Sequence, residues 1–196
     1  SDLVIAGDLG SQFFFWQWVT ALIGAGLEID PFNQPNVQES KLASGVLLDQ
    51  WANELPALEN HSVDASIAYF ESSANATDLL STFLQGIASD GYLGVMAYLD
   101  RLDDSEIKEL RNILASKISK PVTFGWGPRF LHSTGQFHKG GQNNGSFLQI
   151  TAECQGDYEI PGKDFNFETL MMAQAIGDKN ALESRGIRTL RLHLMN

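Results

Sequence analysis

The sequence predicts an α/β fold, a mostly parallel sheet with helices on both faces in three layers, as a single domain over residues 1–196. Three observations predict it. Short apolar runs of β character alternate with longer stretches of helical pattern, an order that builds parallel strands joined by helical crossovers. A length of 196 residues suits one such domain. The apolar content of 43% is enough to close a core at a size where roughly 70% of the unfolded surface becomes buried.

Strands are expected at Leu3–Gly7, Ser66–Phe70, Tyr92–Leu99, Pro121–Trp126, Ser146–Ala152 and Ile187–Leu194. Helices are expected between them, at Gln12–Leu27, Val37–Leu55, Ala76–Ala88, Asp104–Ser116 and Phe167–Arg185. Asn36 is placed to cap the second helix, Asn75 or Thr77 the third, and Gly186 to stop the last one. Ser105 opens the fourth helix, which carries Glu106 in its first turn and Lys117 in its last, a polarity that complements the helix dipole. In the final strand, Arg188, Arg191 and His193 interrupt the apolar run, which predicts an edge strand with one wet face. Ligands of such sheets sit beyond the carboxyl ends of the strands.

Charge and composition exclude several classes. A net charge of −11 argues against a general nucleic-acid surface, which needs a basic face. Any anionic substrate must then meet a local cluster of cations. No apolar run reaches the roughly 18 residues that span a bilayer, so no membrane partner is expected. The closest run, Phe13–Ile29, is broken by Gln17, Thr20 and small residues. The single cysteine, Cys154, forms no internal disulfide and fits a reducing, cytoplasmic location. No Gly-x-Gly-x-x-Gly and no phosphate-loop lysine follows a strand, so no nucleotide cofactor is expected.

Two stretches carry the chemistry. In "DPFNQPNVQESK", Pro31 and Pro35 stiffen the approach to a helix. Gln34 precedes that helix, and Lys41 lies about one turn into it. Gln34 can face a ligand at the helix mouth while Lys41 supplies a cation; a solvated lysine on an ordinary capped helix fits the same spacing. The second stretch, "GPRFLHSTGQFHKGG", follows a strand and reads as a glycine-rich ligand loop that holds His132, Gln136, His138 and Lys139. The two histidines lie six apart, which is not the spacing of a metal pair on one helical face, and no carboxylate or thiolate accompanies them, so no metal is expected. Two imidazoles beside Arg129 and Lys139 suit proton transfer on a polar or anionic small molecule. A His132 that meets a backbone carbonyl and a solvated His138 are equally compatible with the residues. Asp100, Asp103 and Asp104 form either a cation site or an acidic turn that caps a helix.

These two stretches, with "GYLGVMAYLDR" and "IPGKDFNFETLMMAQAIGDKNALESRGIRTLRLHL", resemble glucose-6-phosphate isomerase, and in particular the isomerase part of bacterial transaldolase/glucose-6-phosphate isomerase fusions. The resemblance implies a sugar-isomerase (SIS-like) α/β sandwich and the interconversion of glucose 6-phosphate and fructose 6-phosphate without metal or organic cofactor. Lys41 matches the family's active-site lysine in a Pro-Phe-x-Gln-Pro-x-Val-x-x-x-Lys motif, and Gln34 its glutamine. His132 is similar to the histidine of a Leu-His-Ser-x-Gly-Gln motif that assists ring opening. Gln136, His138 and Lys139 are candidate substrate ligands by proximity alone.

The pattern departs from the family in two ways. The histidine motif follows the lysine motif here, whereas it precedes it in the stand-alone enzymes. The family's glutamate base, in a Gly-Glu-Ser-x-Gly-Lys stretch, and its serine- and threonine-rich phosphate loop have no counterpart among these residues. The expectation is therefore a C-terminal part of a longer isomerase. Its partners would be a sugar phosphate and the rest of the parent chain, an N-terminal isomerase subdomain with or without a transaldolase domain. Oligomerisation stays open. The alternative is a non-catalytic sugar-phosphate-binding or regulatory module.

Overall fold

Alternating side chains explain how four strands come to be covered on both faces. In "YLGVMAY", Leu93 and Val95 point to one side while Met96 and Tyr98 point to the other, and all four are buried. The computed structural model describes residues 4–51, 54–58, 61–71, 73–154, 156 and 158–195. Its strands are β1 (Ser62–Asp64), β2 (Ile67–Tyr69), β3 (Tyr92–Tyr98), β4 (Val122–Trp126), β5 (Gly145–Ala152) and β6 (Arg188–Leu194). They form one sheet in the order β1-β2-β6-β5-β3-β4. Strands β4, β3, β5 and β6 are parallel, and the β1–β2 hairpin adds antiparallel to β6. The fold is thus α/β with a mostly parallel sheet, as the alternating pattern predicts.

The helices are α1 (Leu9–Gly26), α2 (Pro35–Trp51), α3 (Ala76–Gln85), α4 (Leu110–Ile118), α5 (Ser133–Gly140) and α6 (Phe167–Glu183), with 3-10 turns at Ser105–Glu109 and Arg129–Leu131. Phe83 of α3 and Leu114 of α4 join Leu93, Val95, Leu148, Ile150 and Leu190 in one core. On the opposite face Met96, Tyr98 and Phe147 pack with Phe130, Ala175 and Leu182, so α6 covers that side, and α2 lies against α6 and α5. Three layers result.

The chain divides into two compact units, 1–34 and 35–196. The second unit holds the sheet. The first is α1 and its flanks: Asp8 caps the helix by accepting from the Ser11 backbone N–H at 3.0 Å, and Phe13, Phe14, Trp16 and Trp18 are exposed. The strand expected at Leu3–Gly7 does not form over 4–7; Leu3 lies outside the described residues. A second correction concerns β6. The sequence read it as an edge with one wet face, but β2 pairs with its free side and α6 covers it, so Arg191 and His193 are 7% and 2% exposed.

Local chemistry fixes the helix ends. Asn75 caps α3, its side-chain oxygen accepting from the Asp78 N–H at 2.8 Å, and Asn166 does the same for α6 through Thr169. Asn36 does not cap α2; it lies inside the helix after Pro35, which occupies a first-turn position that needs no N–H. Gly186 has φ of +72°, the left-handed conformation expected just past a helix end. Helices α2 and α6 approach closely at Gly177, where a Cβ would come within 2.6 Å of Ser44 Oγ and 2.8 Å of its backbone nitrogen. Asn75→Ala is expected to lower unfolding free energy by about 1 kcal/mol, read by urea denaturation. An unchanged midpoint would show that the cap contributes nothing.

Candidate functional site

The helical part of the first stretch, Pro35–Lys41 in α2, and the second stretch lie on adjoining elements of the sheet-bearing unit. Strand β4 ends at Trp126, and the 3-10 turn then leads into α5, with His132 at its N-cap in extended backbone. Helix α2 packs against both α5 and the 3-10 turn, so the element carrying Lys41 adjoins the one carrying His132. Both side chains are exposed, and neither has a hydrogen bond or ion pair to a described residue. Gln34 is exposed at the end of the first unit.

The sequence read this stretch as a glycine-rich loop, but it is a helix. Gly135 is there for packing: a Cβ on it would overlap the Phe130 carbonyl. Gln136 is half-buried, and its Oε1 accepts from the Asn36 backbone N–H at 2.9 Å, which ties α5 to α2. His138 and Lys139 face inward rather than to an open surface. His138 is 7% exposed, with its ring centroid 4.6 Å from that of Phe147 and 5.7 Å from that of Phe130. Lys139 Nζ pairs with Asp178 on α6 at 2.5 Å and donates to the Phe130 carbonyl at 3.1 Å. Ser40 of α2 also donates to Asp178, at 3.0 Å, so three helices share one buried charge pair. Burial pushes the Asp178 carboxyl above the ordinary range, against the pull of Lys139 and Ser40.

Burial in this aromatic pocket, with Lys139 adjacent, pushes the His138 imidazole down to about 4. It therefore stays neutral at physiological pH and is unsuited to proton exchange with a ligand. A depressed imidazole contributes stability that is complete above the unfolded value near 6.5 and is lost as pH falls. Unfolding free energy should drop by roughly 1.4 kcal/mol per pH unit between about 6.5 and about 4, beyond other titrations. His193, also depressed by burial, adds in the same direction. Denaturation curves across this range check it: His138→Gln should flatten the slope, and an identical slope in the variant would contradict it.

Glu39 is the carboxylate nearest the lysine in sequence. It is held by Arg185, with NH2 at 2.6 Å and 2.8 Å from its two oxygens and Nε at 3.1 Å, and this pairing holds its carboxyl below the usual range. It is thus a poor proton acceptor. Asp100 accepts from the backbone of Leu102 and Asp103, and Asp104 from that of Asp100, the geometry of an acidic turn. Among the described residues no three His, Cys, Asp or Glu side chains are grouped to hold a metal ion. No helix of the described residues is long and apolar enough to cross a membrane.

The sequence reasoning passed over a second polar group. On the face of the sheet covered by α6, Gln149 stands opposite Arg191 and Thr151 opposite His193 in the β5–β6 register. All four are buried. Gln149 donates to the Ala175 carbonyl at 2.8 Å, and Thr151 Oγ1 lies 2.9 Å from His193 Nδ1. The signal was legible: "FLQITA" and "TLRLHL" both place polar residues at every second position, in a register that stacks them.

The chain matches no protein-family model and no curated protein. Among solved structures it is similar to a hypothetical protein, TT0462, from Thermus thermophilus, with a TM-score of 0.47 and 19% identity. The likeness covers 60% of this chain and 32% of that one, so the chain spans about a third of that protein's length.

Proposed function

We propose that the chain carries part of the active site of an aldose–ketose isomerase that interconverts glucose 6-phosphate and fructose 6-phosphate. The observation that supports it is the pairing of an exposed lysine, Lys41, with an exposed histidine, His132, on adjoining elements, while the polar residues around them are used in packing. Opening the hexose ring requires a proton delivered to the ring oxygen and one removed from the anomeric hydroxyl. His132, as an exposed imidazole, is suited to that exchange. A base then carries a proton between C1 and C2 through an enediolate, and Lys41 would stabilise its negative oxygen. The reading assigns that base to a glutamate on another segment, since Glu39 is paired with Arg185.

The 196 residues are therefore expected to bind 6-phosphogluconate, an acid resembling the enediolate, without turning over fructose 6-phosphate in a coupled assay. Calorimetry should show the binding lost in Lys41→Ala. Robust turnover by this chain would place the base within it, and binding that ignores Lys41 would remove the lysine from the site.

A second reading, a sugar-phosphate-binding module without catalysis, is favoured by one observation: Glu39, the described carboxylate nearest Lys41 in sequence, is committed to its ion pair with Arg185 rather than available as the base.

A further inference from the structure

We infer that the cavity at the carboxyl ends of β5 and β6 is a binding site for a small organic monoanion, held by Arg191. This inference does not depend on Lys41 or His132 and stands if the isomerase reading fails.

The cavity has a volume of about 510 Å³, within the roughly 300–1,000 Å³ usual for small-molecule sites. Arg191 and His193 form its floor, Trp51, Leu55 and Met172 give it apolar walls, and Glu153 stands at the strand end. It therefore lies where parallel sheets hold ligands, beyond the carboxyl ends of the strands. The second observation is the state of Arg191. It is 7% exposed, yet no described carboxylate comes within ion-pairing distance of it. Its Nε is buried with no hydrogen-bond partner. Its guanidinium lies over the Phe70 ring, 4.1 Å from the centroid, which fixes the plane of the fork and leaves its edge N–H groups free to donate. Burial pushes this guanidine down to about 10, against the opposing pull of the Glu71 carboxyl.

A charge held this way is costly unless something neutralises it, and the matching group is a planar carboxylate or similar oxyanion. The other charges set the ligand's limit. Glu153 and Glu168 also line the cavity, with Glu168 Oε1 accepting from the Cys154 backbone N–H at 3.2 Å. Glu71, whose carboxyl is raised by burial, also acts on Arg191. These three carboxylates weaken every anion here and a doubly charged one most, so the ligand must sit on the guanidinium edge with a single charge. One anionic head on an apolar body satisfies the whole arrangement.

The test is a titration of the chain with benzoate, following the Arg191 Nε–H resonance by nitrogen-15 NMR. Benzoate should shift it saturably. Benzamide, neutral and of the same shape, and phthalate, with two charges, should each bind at least tenfold more weakly. Arg191→Gln should weaken benzoate by tenfold or more, and Arg191→Lys by less. An unmoved Nε–H signal in the unaltered chain, or equal binding of benzoate and benzamide, overturns the inference. The unaltered chain decides the matter even where Arg191→Gln fails to fold.

Discussion

Replacing Lys139 with methionine should cost about 3–5 kcal/mol of unfolding free energy, because it leaves the Asp178 carboxylate buried among three helices without its cation. Ser40 alone cannot compensate a full charge. The control is the double replacement Lys139→Met with Asp178→Leu, which removes both charges and fills similar volume. It should recover most of the loss, since apolar substitutes for a buried pair are often neutral or better. Guanidinium denaturation of the two variants measures it. A single variant as stable as the parent would mean that the pair does not hold α5 against α6. Lys139 ties α5, the helix at whose N-cap His132 stands, to α6.

The second large effect belongs to catalysis. In an isomerase assembled from this chain and a segment carrying the glutamate base, Lys41→Ala should lower kcat by roughly 10²–10³-fold with a smaller change in KM, the signature of charge stabilised mainly in the transition state. His132→Ala should slow turnover of the closed sugar more than that of an open-chain analogue. Steady-state kinetics on both substrates separates the roles. A Lys41→Ala change confined to KM would assign the lysine to binding alone.

Much of the fold was legible because its signals are local. Strands β3, β4, β5 and β6 are apolar runs bounded by polar turns, α3 announces itself through its capping Asn75, and α6 through the Gly186 that ends it. What misled were signals that depend on distant partners. "LVIAG" reads as a strand by composition, yet residues 4–7 do not pair. "RTLRLHL" reads as an edge because arginine and histidine are costly to bury, and only the sheet order shows β2 closing that side. The glycines of "STGQFHKGG" read as a loop, whereas Gly135 is required by contact with Phe130 inside a helix.

The candidate site divided the same way. Lys41 and His132 were found from motif and spacing and remain exposed. His138 and Lys139 were taken as ligands because polar residues in a glycine-rich stretch suggest a surface. Their burial depends on Phe130, Phe147 and Asp178, and the last two lie outside the stretch, on β5 and α6, where its own spacing gives no sign of them. Arg191 reads from the sequence only as part of a wet edge strand, which offers no cavity.

The most direct measurement is an NMR titration with 6-phosphogluconate that follows the His132 ring and the Lys41 side-chain methylenes together. The proposal predicts that both move with a single dissociation constant while the Arg191 Nε–H stays still, placing one ligand between α2 and the start of α5. Shifts confined to the Arg191 cavity, or two unrelated constants for Lys41 and His132, would contradict it.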